Sequence, residues 1–139
     1  QDLMAVCAAD PRPQGVRDAA IIAVLYGSGM RKSESVNLDL AQVDFVQRSL
    51  QVLAKGNKQL IKYAPVWAFE KLGAWLAFRR EQLPAGQADD SFLFNRIRRG
   101  SHITRERITK HAIYYIARQR GTQGRQLGRA LHGQEDRPR

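Results

Sequence analysis

Apolar residues in the first third of the chain recur at helical spacing. In VRDAAIIAVLYGSGM, residues 16–30, Ala19, Ile22, Ala23 and Tyr26 share one face, and the pattern stops at glycine, which predicts a helix ended there. Ahead of it, DPRPQG (10–15) carries two prolines and a glycine and reads as a loop, preceded by an alanine-rich helical stretch that holds Cys7. RKSESVNL (31–38) predicts a short helix, and AQVDFVQRS (41–49) a turn-rich connection. LQVLAKGNKQLIKYAPV (50–66) contains two strand-like runs around KGNK, where Gly56 and Asn57 supply turn chemistry, so a β-hairpin is expected.

The second half begins with a long helix at about 66–83, with Phe69, Leu72, Leu76 and Leu83 on its apolar face and Trp75 beside them. PAGQADD (84–90) breaks it, SFLF (91–94) is a short buried run, and RIRRGSH (96–102) reads as a basic loop. ITRERITKHAIYYIARQR (103–120) is predicted helical, with Thr104 as its cap and Ile108, Ala112, Tyr115 and Ile116 on one face. From Gly121 the periodicity dissolves into Gly, Arg and Gln, which predicts an irregular basic tail over 121–139. The fold class expected is mainly α with one small hairpin or sheet.

The chain's 139 residues, 43% of them hydrophobic, suit one domain with a real core. The longest apolar run, AAIIAVLY, has eight residues, against about 20 for a membrane span. No signal peptide is recognisable, and the single cysteine, Cys7, reads as packing in a reducing cytosol, so a cytoplasmic protein with no membrane partner is expected. A chain that begins with Gln1 is expected to be a piece of a longer one.

The formal net charge is +10, and it is unevenly placed. Residues 1–95 carry 11 Lys and Arg against 10 Asp and Glu, whereas residues 96–139 carry 12 Lys and Arg against Glu106, Glu135 and Asp136. Such a block favours a polyanion partner, although a solvated basic tail has the same composition.

Two short motifs sharpen that reading. GSGMRKSE (27–34) puts Arg31 at the joint between two helices with Glu34 one turn on, and AKGNKQ (54–59) puts Lys55 at the tip of the hairpin. In this order and spacing they resemble the catalytic domain of the tyrosine recombinases, the phage-integrase family, in which a T-G-x-R-x-x-E joint and a G-K-G-x-K hairpin supply a catalytic arginine and lysine. GVRDAAIIAVLYGSG and FLF…ITRERITKHAIYYI also look like that family, so the resemblance covers about residues 1–120, read as a partial catalytic domain incomplete at its C-terminus, with 121–139 beyond it.

The resemblance implies DNA strand breakage and rejoining through a 3′-phosphotyrosine, with duplex DNA and other recombinase protomers as partners and no metal or nucleotide cofactor. Arg31 would be the phosphate clamp, since a guanidinium's rigid fork fits two non-bridging oxygens. Glu34 would hold that guanidinium, and Lys55 would protonate the leaving 5′ oxygen. Lys58, Arg98, Arg99 and Arg105 are the expected DNA contacts. The family's His-x-x-Arg box has no acceptable match: His102-Ile-Thr-Arg105 precedes the helix that the box should follow, and His132 meets Glu135 three residues on. No tyrosine follows Tyr115, and of Tyr114 and Tyr115 at least one reads as core, so no nucleophile is assigned. A DNA-binding fragment inactive on its own is therefore expected. A non-catalytic DNA-binding or regulatory module and a basic RNA-binding protein are the alternatives.

Overall fold

The computed structural model describes residues 2–132, with side chains described over 4–121. Helix α1 (Asp2–Ala8) leads through a short loop into α2 (Pro13–Ser28). Proline at the first position of α2 removes an N–H that a helix start leaves unpaired anyway. Every residue from Ala19 to Leu25 is buried, because α2 is the central helix and meets α1, α3, α4 and α5. Its longest contact is with α4 (Val66–Glu81). Gly27 permits the close approach there, since a Cβ at that position would sit 2.9 Å from the Cβ of Ala68.

Between those helices lie α3 (Lys32–Val36) and a three-stranded antiparallel sheet ordered β1 (Val43–Asp44), β2 (Ser49–Ala54), β3 (Lys58–Tyr63). Leu50 and Val52 pair with Lys62 and Leu60, and the strand alternation sends both into the core with Leu38, Leu72 and Trp75. The hairpin and the long helix thus agree with the sequence pattern. Leu83 is only half-buried beyond the end of α4, and Tyr26 is exposed at the rim of α2.

The last third departs from expectation. Residues 95–107 form a second hairpin, β4 (Asn95–Arg98) and β5 (His102–Arg107), where a basic loop and a helix start were predicted. Thr104 is not a helix cap. It lies in β5, where its hydroxyl donates to the Arg96 carbonyl at 2.8 Å. The helix α5 begins only at Lys110 and runs to His132, with the Thr109 hydroxyl accepting the Ala112 N–H at 3.1 Å. Its buried face is Ile113, Ile116 and Ala117, while Tyr114 and Tyr115 are both exposed, so neither is core. Helical backbone also continues through Gly121, where irregularity was expected. Each glycine costs a helix about 1 kcal/mol, but extending a helix already nucleated is far easier than starting one. Residues 133–139 of the expected tail lie outside the described residues.

Two buried arginine networks hold these pieces together. Arg79, on α4 and 1% exposed, donates to the carbonyls of Asp90, Phe92 and Leu93, to Asn95 Oδ1 and to Asp89 Oδ1. Asn95 passes the constraint on, its amide nitrogen donating to Asp90 and to the Thr104 carbonyl. At the other end, Arg120 of α5 donates to Asp10 at 2.7 Å and to Asp18 at 3.0 Å, while Arg17 bonds Asp18 and the Asn95 carbonyl. Hydrogen bonds from Arg12 outweigh burial and, with Arg120, hold the Asp10 carboxyl well below the usual carboxylate range. Burial pushes Asp89 up, but bonding and charge from Arg79 prevail and lower it.

Removing Arg79 strands several buried acceptors at once, so Arg79→Ala is expected to lower stability by about 3–5 kcal/mol. Urea denaturation measures it, and a loss below about 1 kcal/mol would mean the network is dispensable. A second expectation concerns acid. Asp10 titrates lower when folded than its unfolded value of about 4, so its contribution is complete above that pH and fades as pH falls. Asp10→Asn is expected to be less stable than wild type at neutral pH, with the gap narrowing below about pH 4. An unchanged gap in acid would refute this account of Asp10.

Candidate functional site

The joint after α2 is fixed by backbone chemistry. The Ser28 hydroxyl donates to the Val24 carbonyl at 2.6 Å and accepts the Met30 N–H at 3.1 Å, while Met30 itself is buried as an anchor. Arg31 follows in extended conformation, φ −76° and ψ 150°, as the residue that caps α3. Glu34 Oε1 accepts the Arg31 backbone N–H at 2.9 Å. The carboxylate therefore braces the arginine's main chain and not its guanidinium, which was the expected partner. A cap residue's own amide is the donor nearest to a Glu three positions on, so the short reach wins. The Arg31 side chain is exposed and forms no ion pair among the described residues.

Lys55 begins the turn between β2 and β3. Gly56 at φ 79° and Asn57 at φ 61° take left-handed conformations that most side chains avoid, which is why this turn needs glycine and asparagine. The ladder is regular up to the pair Ala54–Lys58, and Gln51 bonds Gln59 across the strands at 2.6 Å, so the tip sits on an ordered stem. Lys55 and Lys58 are both exposed. Helix α3 rests against β2, which puts Arg31 and the hairpin on one structural module. The cleft of about 520 Å³ beside Arg31 is lined by Leu25, Tyr26, Met30, Lys32, Ser33 and Tyr114, and Lys55 is not among its walls.

The other expected DNA contacts divide. Arg98 and Arg99 are exposed at the end of β4 and in the turn after it. Arg105 is tied into the fold, its guanidinium bonded to Asp90, to Gln87 at 2.8 Å and to the Ala88 carbonyl at 3.0 Å. Sequence reasoning did not single out Lys32 and Lys110, whose ammonium groups stand 5.5 and 5.7 Å from the ring centre of Tyr114. The one signal available was that Lys32 adjoins Arg31. Cys7 is buried, and burial pushes its thiol up to about 11, which suits packing and not nucleophilic chemistry. Among the described residues no cluster of three His, Cys, Asp or Glu could hold a metal ion, and no helix is long and apolar enough to cross a membrane.

Comparison with known proteins gives these features a context. The model of the phage integrase family matches residues 1–133. The tyrosine recombinase XerC of Pseudomonas aeruginosa (strain LESB58) is 38% identical over 118 residues, 84% of this chain and 34% of that protein. XerC of Shewanella oneidensis is 42% identical over 82 residues, 59% of this chain and 26% of that protein. The crystal structure of XerA recombinase superposes with a TM-score of 0.66 over 88% of this chain and 40% of that one, and at 24% identity it speaks to fold alone. The chain thus spans about a third or less of the length of these curated relatives.

The Glu34 brace can be measured. Glu34→Ala is expected to cost about 1 kcal/mol in urea denaturation, and Glu34→Gln, which keeps an acceptor, to recover most of it. Equal losses in both variants would show that the carboxylate acts elsewhere.

Proposed function

The chain belongs to the phage integrase family, and from that premise we propose that it is part of a site-specific recombinase's catalytic domain, acting on duplex DNA. In this reading residues 1–120 form the catalytic-domain portion, with the basic segment 121–139 beyond it. The observation that carries the proposal is Arg31: its main chain is locked by Glu34, while its guanidinium is exposed and without an ion pair among the described residues. A structural arginine would be paired, as Arg79 and Arg120 are. An arginine held from behind with an open fork is suited to an incoming phosphate.

The chemistry follows from those positions. Attack on a phosphodiester builds negative charge on the non-bridging oxygens, and a guanidinium carried on a braced main chain has only its side-chain torsions to adjust to meet it. Lys55 would give its proton to the leaving 5′ oxygen, and Lys58 would contact a neighbouring phosphate. Lys55 stands apart from the Arg31 cleft, so the assignment requires DNA to bridge the two. Arg98 and Arg99 offer further phosphate contacts, Arg105 fewer because its guanidinium is engaged. Other recombinase protomers would be the protein partners.

Fluorescence anisotropy with a labelled duplex tests the binding. Log affinity is expected to fall linearly with log salt, by about 0.9 per phosphate neutralised, and Arg31→Ala to make the slope shallower by about one contact. Affinity flat against salt would defeat the proposal. Incubation with a nicked duplex and denaturing electrophoresis is expected to leave the DNA unshifted, because no tyrosine here occupies the nucleophile's place in the motif order. A protease-sensitive shifted band would show that one of the tyrosines attacks.

A further inference from the structure

Tyr114 is approached by two cations from two different helices, Lys32 from α3 and Lys110 from the first turn of α5, at 5.5 and 5.7 Å. Its ring is nonetheless 45% exposed, and Tyr26 beside it is 60% exposed. Tyr26, Lys32 and Tyr114 line two adjoining hollows: one of about 520 Å³ that reaches Arg31, and one of about 300 Å³ that reaches Ala117 and Arg118. Together they make a groove running from Arg31 along the α3–α5 seam.

No Asp or Glu lines either hollow. That sets the groove apart from two other arginine-lined cavities among the described residues. The one between α2 and α5 includes Asp18, and the one under the second hairpin includes Asp90 and Glu106. There the positive charge is neutralised from within. Here Arg31 and Lys32 line the larger hollow, Lys32 and Lys110 stand near the Tyr114 ring, and the attraction of such a ring for a cation at an exposed site is only about 0.5–1 kcal/mol. Like charges on neighbouring side chains repel, and a polyanion laid across them relieves the repulsion. The phenol hydroxyls of Tyr26 and Tyr114 add neutral donors to the lining.

We propose that Lys32, Lys110 and Tyr114 form a second phosphate-binding station, which holds the DNA backbone next to the phosphate taken by Arg31. The proposal rests on Arg31 as a phosphate clamp and extends it along the strand. An extended polyanion suits the groove better than a single small anion, because the two hollows share Tyr26, Lys32 and Tyr114 and reach from Arg31 to Arg118. In this arrangement Tyr114 is a positioning residue. Its ring holds the two ammonium groups near one half-exposed surface, and its hydroxyl adds a hydrogen bond that carries no charge.

The test uses the full chain and labelled duplex DNA, with affinity measured between about 50 and 200 mM salt. Lys32→Gln and Lys110→Gln are each expected to flatten the salt slope by about 0.9, and the double variant by about twice that. The weakening should be uniform across unrelated sequences, as for any phosphate contact. Tyr114→Phe should weaken binding while keeping the slope, because no charge is lost. Lys71→Gln, on α4, should change neither. Thermal melts of the variants should match wild type, since all three groups lie at the surface. A double variant with the wild-type slope overturns the station, and Arg31→Ala flattening the slope in that same series would leave the parent reading intact. Failure of the wild-type chain to bind DNA at all removes both.

Discussion

A single guanidinium sets the geometry on which the rest depends. Arg79 is almost wholly buried and satisfies three carbonyls and two side-chain oxygens drawn from residues 89–95. That segment has little regular structure of its own, and a buried loop is tolerable only when its polar groups are answered. Once Arg79 has fixed it, residues 91–93 lie along 38–40, with Leu40 N–H donating to the Ser91 carbonyl and Leu93 N–H to the Leu38 carbonyl. Arg107 then reaches from β5 to the carbonyls of Val36 and Leu38 and to Asp39. The end of α3 is thereby held from two sides, and Arg31, at its start, inherits a fixed position.

Charge in this protein has two distinct uses, which composition alone merges. Arg17, Arg79, Arg105, Arg107 and Arg120 face carboxylates or carbonyls and join elements distant in sequence. Arg31, Lys32, Lys55 and Lys58 are exposed, and they gather at the α2–α3 joint and the first hairpin. The excess of basic residues after position 96 was therefore an uncertain guide to a DNA-facing surface. Between 96 and 120 it is divided: Arg105, Arg107 and Arg120 are bonded into the fold, while Arg98, Arg99 and Lys110 stay exposed, as do the cations of the α2–α3 joint and the first hairpin.

How legible each part was follows from how local its cause is. Helices α2 and α4 declare themselves because their apolar spacing has one period and their ends carry glycine or proline. The first hairpin is legible because Gly56 and Asn57 must take left-handed backbone. The second hairpin is hidden. Its alternating positions are filled by arginine, threonine and glutamate, and the partners that tie Arg105 and Arg107 into the structure, Asp90 and Asp39, come from elsewhere in the fold. A helical period over the same stretch looked equally good because Ile108, Ala112 and Ile116 do belong to a helix or its approach. The exposed pair Tyr114 and Tyr115 was misjudged for a related reason, since a tyrosine's place inside or outside depends on which neighbours offer it a surface. At the candidate site, Arg31 and Lys55 were visible through motif spacing, whereas the groove around Tyr114 exists only once α3 and α5 meet.

Gly27 has an implication for anyone who would engineer this molecule. Replacing a late-helix glycine with alanine is a standard route to a sturdier helix. Here the added methyl would arrive 2.9 Å from the Cβ of Ala68 and 3.3 Å from Pro65, both rigidly attached to backbone. It would act as a wedge between the exit of α2 and the root of α4, where β3 hands over to the helix. Because the hairpin is hinged to that root, a change meant to stiffen one helix would swing Lys55 relative to Arg31. The missing methyl at Gly27, facing the methyl of Ala68, thus helps set the spacing between the α2–α3 joint and the first hairpin.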